Sequence, residues 1–215
     1  MTIKAILFDF DGVIVDSETL ANQALADALT AIGLPTSLEE SLALYCGWRW
    51  SDCLIKIEGR LGKPIPPDFP SFVERVSNEA VMAQLAPVPG AAQFLDRTRH
   101  LQRAVASSSP LAYLETVSER LGFAKHFKER YFSADQLTHG KPHPQVYLNA
   151  AAGLGVEPSD CLVIEDSPLG VRAGVAAGAY VIGLCAGSHI RSGHGERLTA
   201  AGAHQIALNY SELIL

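Results

Sequence analysis

The sequence predicts a three-layer α/β/α fold on a parallel sheet, with an inserted all-α cap domain near its start. Three observations predict it. From Gly90 onward, short apolar runs rich in β-branched residues alternate with helix-period stretches, the pattern of strands covered on both faces by crossover helices. Residues 17–86 carry helical patterns and no convincing strand, so they stand outside that alternation. Several polar residues follow apolar runs at their C-terminal ends, the edge where open parallel sheets bind ligands. The core is placed at 1–15 and 88–215 and the helical cap at 16–87, with hinges near Val15 and Val88.

The first strand is the run Ile3 to Leu7, which leads into Phe8-Asp9-Phe10-Asp11-Gly12. Period-two alternation sends Asp9 and Asp11 to one side. Two carboxylates that close repel unless a cation or a proton lies between them. Gly12 allows a sharp turn with exposed amides. Solvated acids in a strand-end turn are the plainer alternative, but apolar residues on both sides would bury these acids and favour a metal or acid/base site.

Next, Ala21, Ala24, Leu25, Ala28, Leu29 and Ile32 recur at helical spacing until Gly33 and Pro35 end the run. Asp16 and Ser17 are placed to cap it. Ser37 to Glu40 spells a capping box for a short helix. Gly47-Trp48-Arg49-Trp50-Ser51 interrupts, and a helix with Leu54, Ile57 and Leu61 follows. Lys63-Pro64-Ile65-Pro66-Pro67 must be extended or turned. Ser71 to Glu74 is a second capping-box spelling on a helical face continued by Val76, Ala80 and Val81.

Past Gly90, a helix with Phe94, Leu95 and Leu101 leads to the strand Arg103 to Ser107. A helix with Leu111, Leu114, Val117 and Leu121 closes at Gly122, and a short strand spans Tyr131 to Ser133. Pro144 suits the first turn of a helix that Gly153 ends. Cys161 to Ile164 is a buried strand ending at Glu165-Asp166, and the next helix runs from Pro168 to Gly178. Tyr180 to Leu184 is a strand, Ala186 to Gly195 a loop, and Ile206 to Leu208 a last strand.

These strand ends gather Asp9 and Asp11, Ser107 in a run with Ser108 and Ser109, Lys141 just before a helix, and Glu165-Asp166. One lysine, one hydroxyl and several carboxylates on one rim suit a phosphoryl group beside a hard divalent cation. Mg²⁺ takes few carboxylates and leaves positions for phosphate oxygens, while the lysine offsets charge as a point cation. Gly170 and Gly174 are read as allowing close helix–sheet packing, and His143 as a loop residue; His189 and His194 invite a metal reading, but their spacing alone is weak, and they are read as exposed loop histidines.

The spellings D-x-D-G-V-I-x-D-S from Asp9, G-K-P-x-P from Gly140 and E-D-S-x-x-G from Glu165, with a strand-end serine between the first two, resemble the haloacid dehalogenase-like superfamily. They look like its branch of Mg²⁺-dependent phosphatases and β-phosphoglucomutase-like proteins, over essentially the whole chain. The resemblance implies that branch's Rossmann-like core and helical cap. It implies Asp9 as nucleophile, and Asp11 as the acid that protonates the leaving oxygen and later takes a proton from water. It implies Mg²⁺ held by Asp9, the main-chain carbonyl of Asp11 and Asp166, with Glu165 at or near the shell, and phosphoryl oxygens bound by Ser107, Ser108 and Lys141. Trp48, Arg49 and Trp50 lie where such caps present a loop to substrate. There the tryptophans either stack on substrate or fill the cap core. Mutase-like members carry a histidine in the first cap helix where Ala21 stands here, and an arginine followed by acids in the cap loop. Both departures favour a phosphatase of a small phosphorylated metabolite, sugar phosphates among the candidates, over a phosphosugar mutase.

Composition sets the remaining expectations. A formal net charge of −6 with no basic run argues against nucleic acid. No apolar run reaches about 18 residues, so no membrane span is expected. The opening residues lack a signal-peptide pattern, and the four cysteines show no C-x-x-C spacing. The expectation is a cytoplasmic enzyme, monomeric or weakly dimeric, whose partner is a small phosphate ester.

Overall fold

The computed structural model describes residues 2–214. Six strands, β1 (Ala5–Phe8), β2 (Gln102–Ser107), β3 (Tyr131–Ser133), β4 (Cys161–Glu165), β5 (Tyr180–Leu184) and β6 (Gln205–Ala207), form one sheet in the order β3-β2-β1-β4-β5-β6. Every pairing is parallel. Strand order reverses about β1, so the crevice beyond its carboxyl end is the switch point of the sheet. Phe8 pairs with Val105 on one side and Ile164 on the other. The residues that follow each strand therefore emerge side by side.

Alternation along β1 divides the core. Ile6 and Phe8 join an apolar cluster with Phe94, Leu95 and Leu114 on one face. Ala5 and Leu7 join Val146, Tyr147 and Val171 on the other. These residues belong to α5 (Ala91–Arg97), α6 (Leu111–Arg120), α8 (Gln145–Leu154) and α9 (Pro168–Ala176). Phe8 meets Phe94 and Phe127 edge to face, at centroid separations of 6.0 and 5.9 Å. Truncating rings so placed costs about 3–5 kcal/mol, so the strand that carries the acids sits on a firm platform.

The helices α1 (Glu18–Ala31), α2 (Leu38–Tyr45), α3 (Trp50–Leu61) and α4 (Phe69–Ala83) pack round a separate cluster of Leu25, Leu29, Tyr45, Ile57, Phe69 and Val73 among others. The two chain crossings into this insertion lie side by side. Asp16 N donates to Ala86 O and Val88 N to Ile14 O, both at 3.0 Å.

Several local expectations need correction. The Ser37–Glu40 capping box is present, but that at Ser71 is not. α4 starts earlier, at Phe69, and the Ser71 hydroxyl donates to Asp68 O. Pro70 favours that earlier start, because its fixed φ suits a first turn. Ser17 precedes α1 without capping it through its side chain. Gly153 lies inside α8, where a Cβ would come 2.3 Å from the Phe132 ring, and Gly155 ends the helix at φ 68°. Leu101 lies beyond α5, which stops at Arg97. Two short helices, α7 (Ala124–Phe127) and α10 (His194–Ala200), were not anticipated; segments this short carry too little periodicity to read.

Candidate active site

Asp9, Ser107, Lys141, Glu165 and Asp166 meet at the switch point, each no more than 5% exposed. Lys141 is the centre of charge. Its Nζ lies 3.0 Å from Asp9 Oδ1 and 2.6 Å from Glu165 Oε1. Burial opposes a charged lysine, but the two carboxylates outweigh it and hold the ammonium above its usual range. Burial also works on the acids. It pushes Asp9 well up, reinforced by Glu165 and Asp166 and countered by Lys141. Asp166 is pushed up by burial and then by Glu165. Burial would raise Glu165 too, but Lys141, Ser167 N and Tyr147 together hold it below the ordinary range.

Those contacts fix the part Glu165 can play. Oε1 accepts from Lys141 Nζ and from Tyr147 OH at 2.8 Å, and Oε2 accepts from Ser167 N at 2.9 Å and Ser167 Oγ at 3.0 Å. Protein donors thus occupy both oxygens, and the acid anchors Lys141. Gly170 is obligatory beside it, since a Cβ there would fall 1.5 Å from Glu165 Oε1.

Asp11 is held by three hydroxyls. Ser17 Oγ donates to Oδ1 at 2.5 Å, Tyr113 OH to Oδ1 at 2.9 Å, and Ser109 Oγ to Oδ2 at 2.6 Å. Ser17 thereby serves Asp11 instead of capping α1. Asp16 Oδ1 accepts from Ser188 N at 2.8 Å. Sequence reasoning gave Tyr113 no role. Nothing in a tyrosine on the first turn of α6, 102 positions from Asp11, signals its partner. Ser107 Oγ accepts from Ser109 N at 3.1 Å, and Ser108 Oγ donates to Gly47 O, also at 3.1 Å, tying core to insertion.

A hard divalent ion fits this donor set. Carboxylate oxygens of Asp9 and Asp166 lie within 4.8 Å of one another, beside the already engaged Glu165. Asp166 Oδ2 is buried without a hydrogen bond, and the one lysine does not balance three acids. Gly12, at φ 74°, is required here, because a Cβ would stand 1.9 Å from that oxygen.

The helical insertion roofs the acids over a cavity of about 470 Å³. Trp48 and Trp50 pack on the insertion's own core and also line the cavity. Lys56 Nζ covers the Trp48 ring at 3.9 Å. Arg49 does not reach the cavity. Asp52 takes Nε and Nη2 at 3.1 and 3.0 Å, and Leu137 O takes Nη1 at 2.6 Å. These contacts tie the insertion to the core and hold Arg49 outside the cavity, away from the substrate-facing place read from the sequence. Glu18, unmarked in the sequence, lines the same cavity. Burial, reinforced by Asp166, pushes its carboxyl up to about 7.

This last shift makes a prediction. A carboxyl whose pKa is higher folded than unfolded binds more protons folded, so its contribution to stability is complete below about 4.5 and is lost as pH rises toward about 7. The stability of wild type relative to Glu18→Gln is expected to fall across that window. Denaturant titrations at pH 5 and pH 8 check it, and parallel losses in the two proteins would refute the shift.

A parallel switch-point sheet with a buried lysine–carboxylate centre under a helical roof defines an enzyme active site of the α/β class. The chain belongs to the haloacid dehalogenase-like hydrolases, whose family model matches residues 3–178. It is similar to hexitol phosphatase B of Escherichia coli K12, with 36% identity over 180 residues covering 81% of this chain and 80% of that protein. Among solved structures it resembles a haloacid dehalogenase-like protein of unknown function from Agrobacterium tumefaciens (TM-score 0.83, 31% identity, covering 95% and 93% of the two chains). It also resembles a hydrolase of the same family from Deinococcus radiodurans with bound phosphate and sodium (TM-score 0.76, 33% identity, covering 98% and 93%). Among the described residues, no helix is long and apolar enough to cross a membrane.

Proposed function

We propose that this enzyme is a Mg²⁺-dependent phosphatase that hydrolyses the phosphate monoester of a small neutral polyol or sugar by way of a phosphoryl group on Asp9. One observation carries the reading. The Asp9 carboxylate, beside Lys141, opens into a cavity walled by apolar side chains, hydroxyls, amides and carboxylates, with no Lys, Arg or His among its described lining residues. Such a wall accepts hydroxyl-bearing carbon and repels a second phosphate or a carboxylate. The hexitol phosphatase relative supports a sugar-like substrate, and the phosphate in the Deinococcus structure supports a phosphoryl site.

In this reading an Asp9 oxygen attacks phosphorus while the bond to the ester oxygen breaks. Asp11, positioned by Ser17, Ser109 and Tyr113, gives its proton to the departing alkoxide. Water then attacks the aspartyl-phosphate, Asp11 takes its proton, and inorganic phosphate leaves with the Asp9 carboxylate restored. Ser107, its neighbouring amides and Lys141 hold phosphoryl oxygens. Asp9, Asp166 and the Asp11 carbonyl would hold Mg²⁺, whose charge lets an anionic ester approach a carboxylate. Glu165 positions Lys141. The insertion, residues 16–87, acts as a cap that opens about the chain crossings near Val15 and Val88 to admit substrate, releasing the Arg49–Leu137 and Ser108–Gly47 contacts.

Phosphate release from a metabolite panel, with Mg²⁺ or with EDTA, tests the proposal. Hexitol and hexose monophosphates are expected to exceed bisphosphates and phosphorylated carboxylic acids in kcat/KM by about tenfold or more, and EDTA to abolish the activity. Inactivity across the panel would overturn it. So would product that retains its phosphate and depends on a bisphosphate activator, which would make the enzyme a phosphosugar mutase.

A further inference from the structure

Beside the site described above stands a second group of ligand-type side chains. Cys46, the residue that ends α2, His189, in the loop after β5, and Asp166 each offer one atom, and the three atoms lie within 4.8 Å of one another. His189 is 3% exposed, yet neither ring nitrogen has a hydrogen bond, and Asp166 Oδ2 has none either. The imidazole Nε2 and that oxygen are 2.9 Å apart without being aligned as donor and acceptor. Three unsatisfied buried polar atoms on two side chains are costly to keep.

The histidine reading made from sequence must change accordingly. His189 and His194 are not exposed loop residues; both are buried. They differ in use. His194 Nδ1 accepts from Arg197 at 2.8 Å, so its Nε2 carries the hydrogen and donates to Asp166 O at 2.5 Å. That ring is satisfied and structural. His189 has no such partners, and its place is kept clear by two glycines. A Cβ on Gly12 would stand 2.8 Å from its Cε1, and one on Gly187 2.7 Å from its Nδ1.

We propose that Cys46, His189 and Asp166 form an inhibitory site for a thiophilic divalent cation of the zinc class, bridging the helical insertion to the core. A thiolate, an imidazole and a carboxylate are the donor types that zinc takes in three-ligand sites with one open position. Mg²⁺ has no use for sulfur or imidazole. Tetrahedral zinc spaces such donors about 3.3–3.6 Å apart, within reach of small side-chain shifts of groups already inside 4.8 Å, the 2.9 Å His189–Asp166 pair opening slightly. Cys46 belongs to the insertion and the other two ligands to the core, so a bound ion would pin one to the other. Inhibition, as opposed to binding, rests on the reading of Asp166 as a Mg²⁺ ligand, since the same carboxylate would be withdrawn from the phosphatase site.

Co²⁺ added to the metal-free, full-length protein is the direct probe, because cobalt–thiolate bonds absorb in the near ultraviolet whether or not the enzyme turns over. Wild type is expected to show that band, zinc to remove it, Cys46→Ser to lack it, and Cys185→Ser to keep it. His189→Gln is expected to weaken Co²⁺ binding by about tenfold or more and provides the second variant if Cys46→Ser fails to fold. In the presence of Mg²⁺, zinc inhibition of aryl phosphate hydrolysis should need at least about tenfold more zinc in His189→Gln. No thiolate band in wild type, or an equal band in Cys46→Ser, would overturn the site. A band without zinc inhibition would leave the site standing and overturn its action on Asp166.

Discussion

Asp9→Asn is expected to lower kcat on any accepted phosphate ester by about three orders of magnitude or more, the scale on which loss of a covalent nucleophile is felt. The fold should survive. Asparagine matches aspartate in shape and removes a charge that burial and two neighbouring acids already penalise. Lys141 keeps its shorter contact, the 2.6 Å pair with Glu165. Thermal stability is therefore expected to equal or exceed that of wild type, and a circular dichroism melt beside a steady-state assay separates the two effects. Activity within about tenfold of wild type would remove Asp9 from the chemistry.

The sheet and the acids were legible because each is written locally. A run such as Ile3 to Leu7 shows its own burial, and Asp9, Ser107 and Glu165 show their convergence by standing at the ends of such runs. The parallel sheet then brings them together whatever separates them in sequence. What was not legible depends on contacts between distant elements. Tyr113 and Ser17 meet on Asp11 only after α6 and the start of α1 have packed beside β1. Arg49 looks like a substrate grip until Asp52, three residues on, and a carbonyl 88 positions away take its donors. Glu18 carries no mark in the sequence and His189 reads as a loop residue, because nothing local records that the insertion and core meet around them. The misplaced helix ends share a smaller cause. Ser71 and Gly153 have the right chemistry for a boundary, but Pro70 and Gly155 have it at positions the neighbouring turns accept.

Replacement of Lys141 should disturb stability more than any other single change at the site. Lys141→Met leaves Asp9, Glu165 and Asp166 buried together with no paired cation, and breaking a buried ion pair in this way costs about 3–5 kcal/mol. Turnover should fall with it, because the phosphoryl group loses the same charge. Two conditions should relieve the structural loss without restoring the chemistry. Asp9 and Asp166 have folded pKa values above their unfolded ones, so their stabilising contribution is full below the unfolded carboxylate range and disappears as pH rises through the folded values. The penalty for Lys141→Met must then shrink as pH falls. A cation bound by the acids should act in the same direction, so Mg²⁺ is expected to raise the midpoint of unfolding more in Lys141→Met than in wild type. The double variant Lys141→Met/Glu165→Gln should lose less stability than the two single losses added together, by about 1–3 kcal/mol, since removing either partner already strands the other. Denaturant titrations at two pH values, with and without Mg²⁺, measure all three. A penalty independent of pH and Mg²⁺, and additive with that of Glu165→Gln, would mean that Lys141 does not neutralise a shared cluster of acids, and the charge balance on which the phosphatase reading depends would fail.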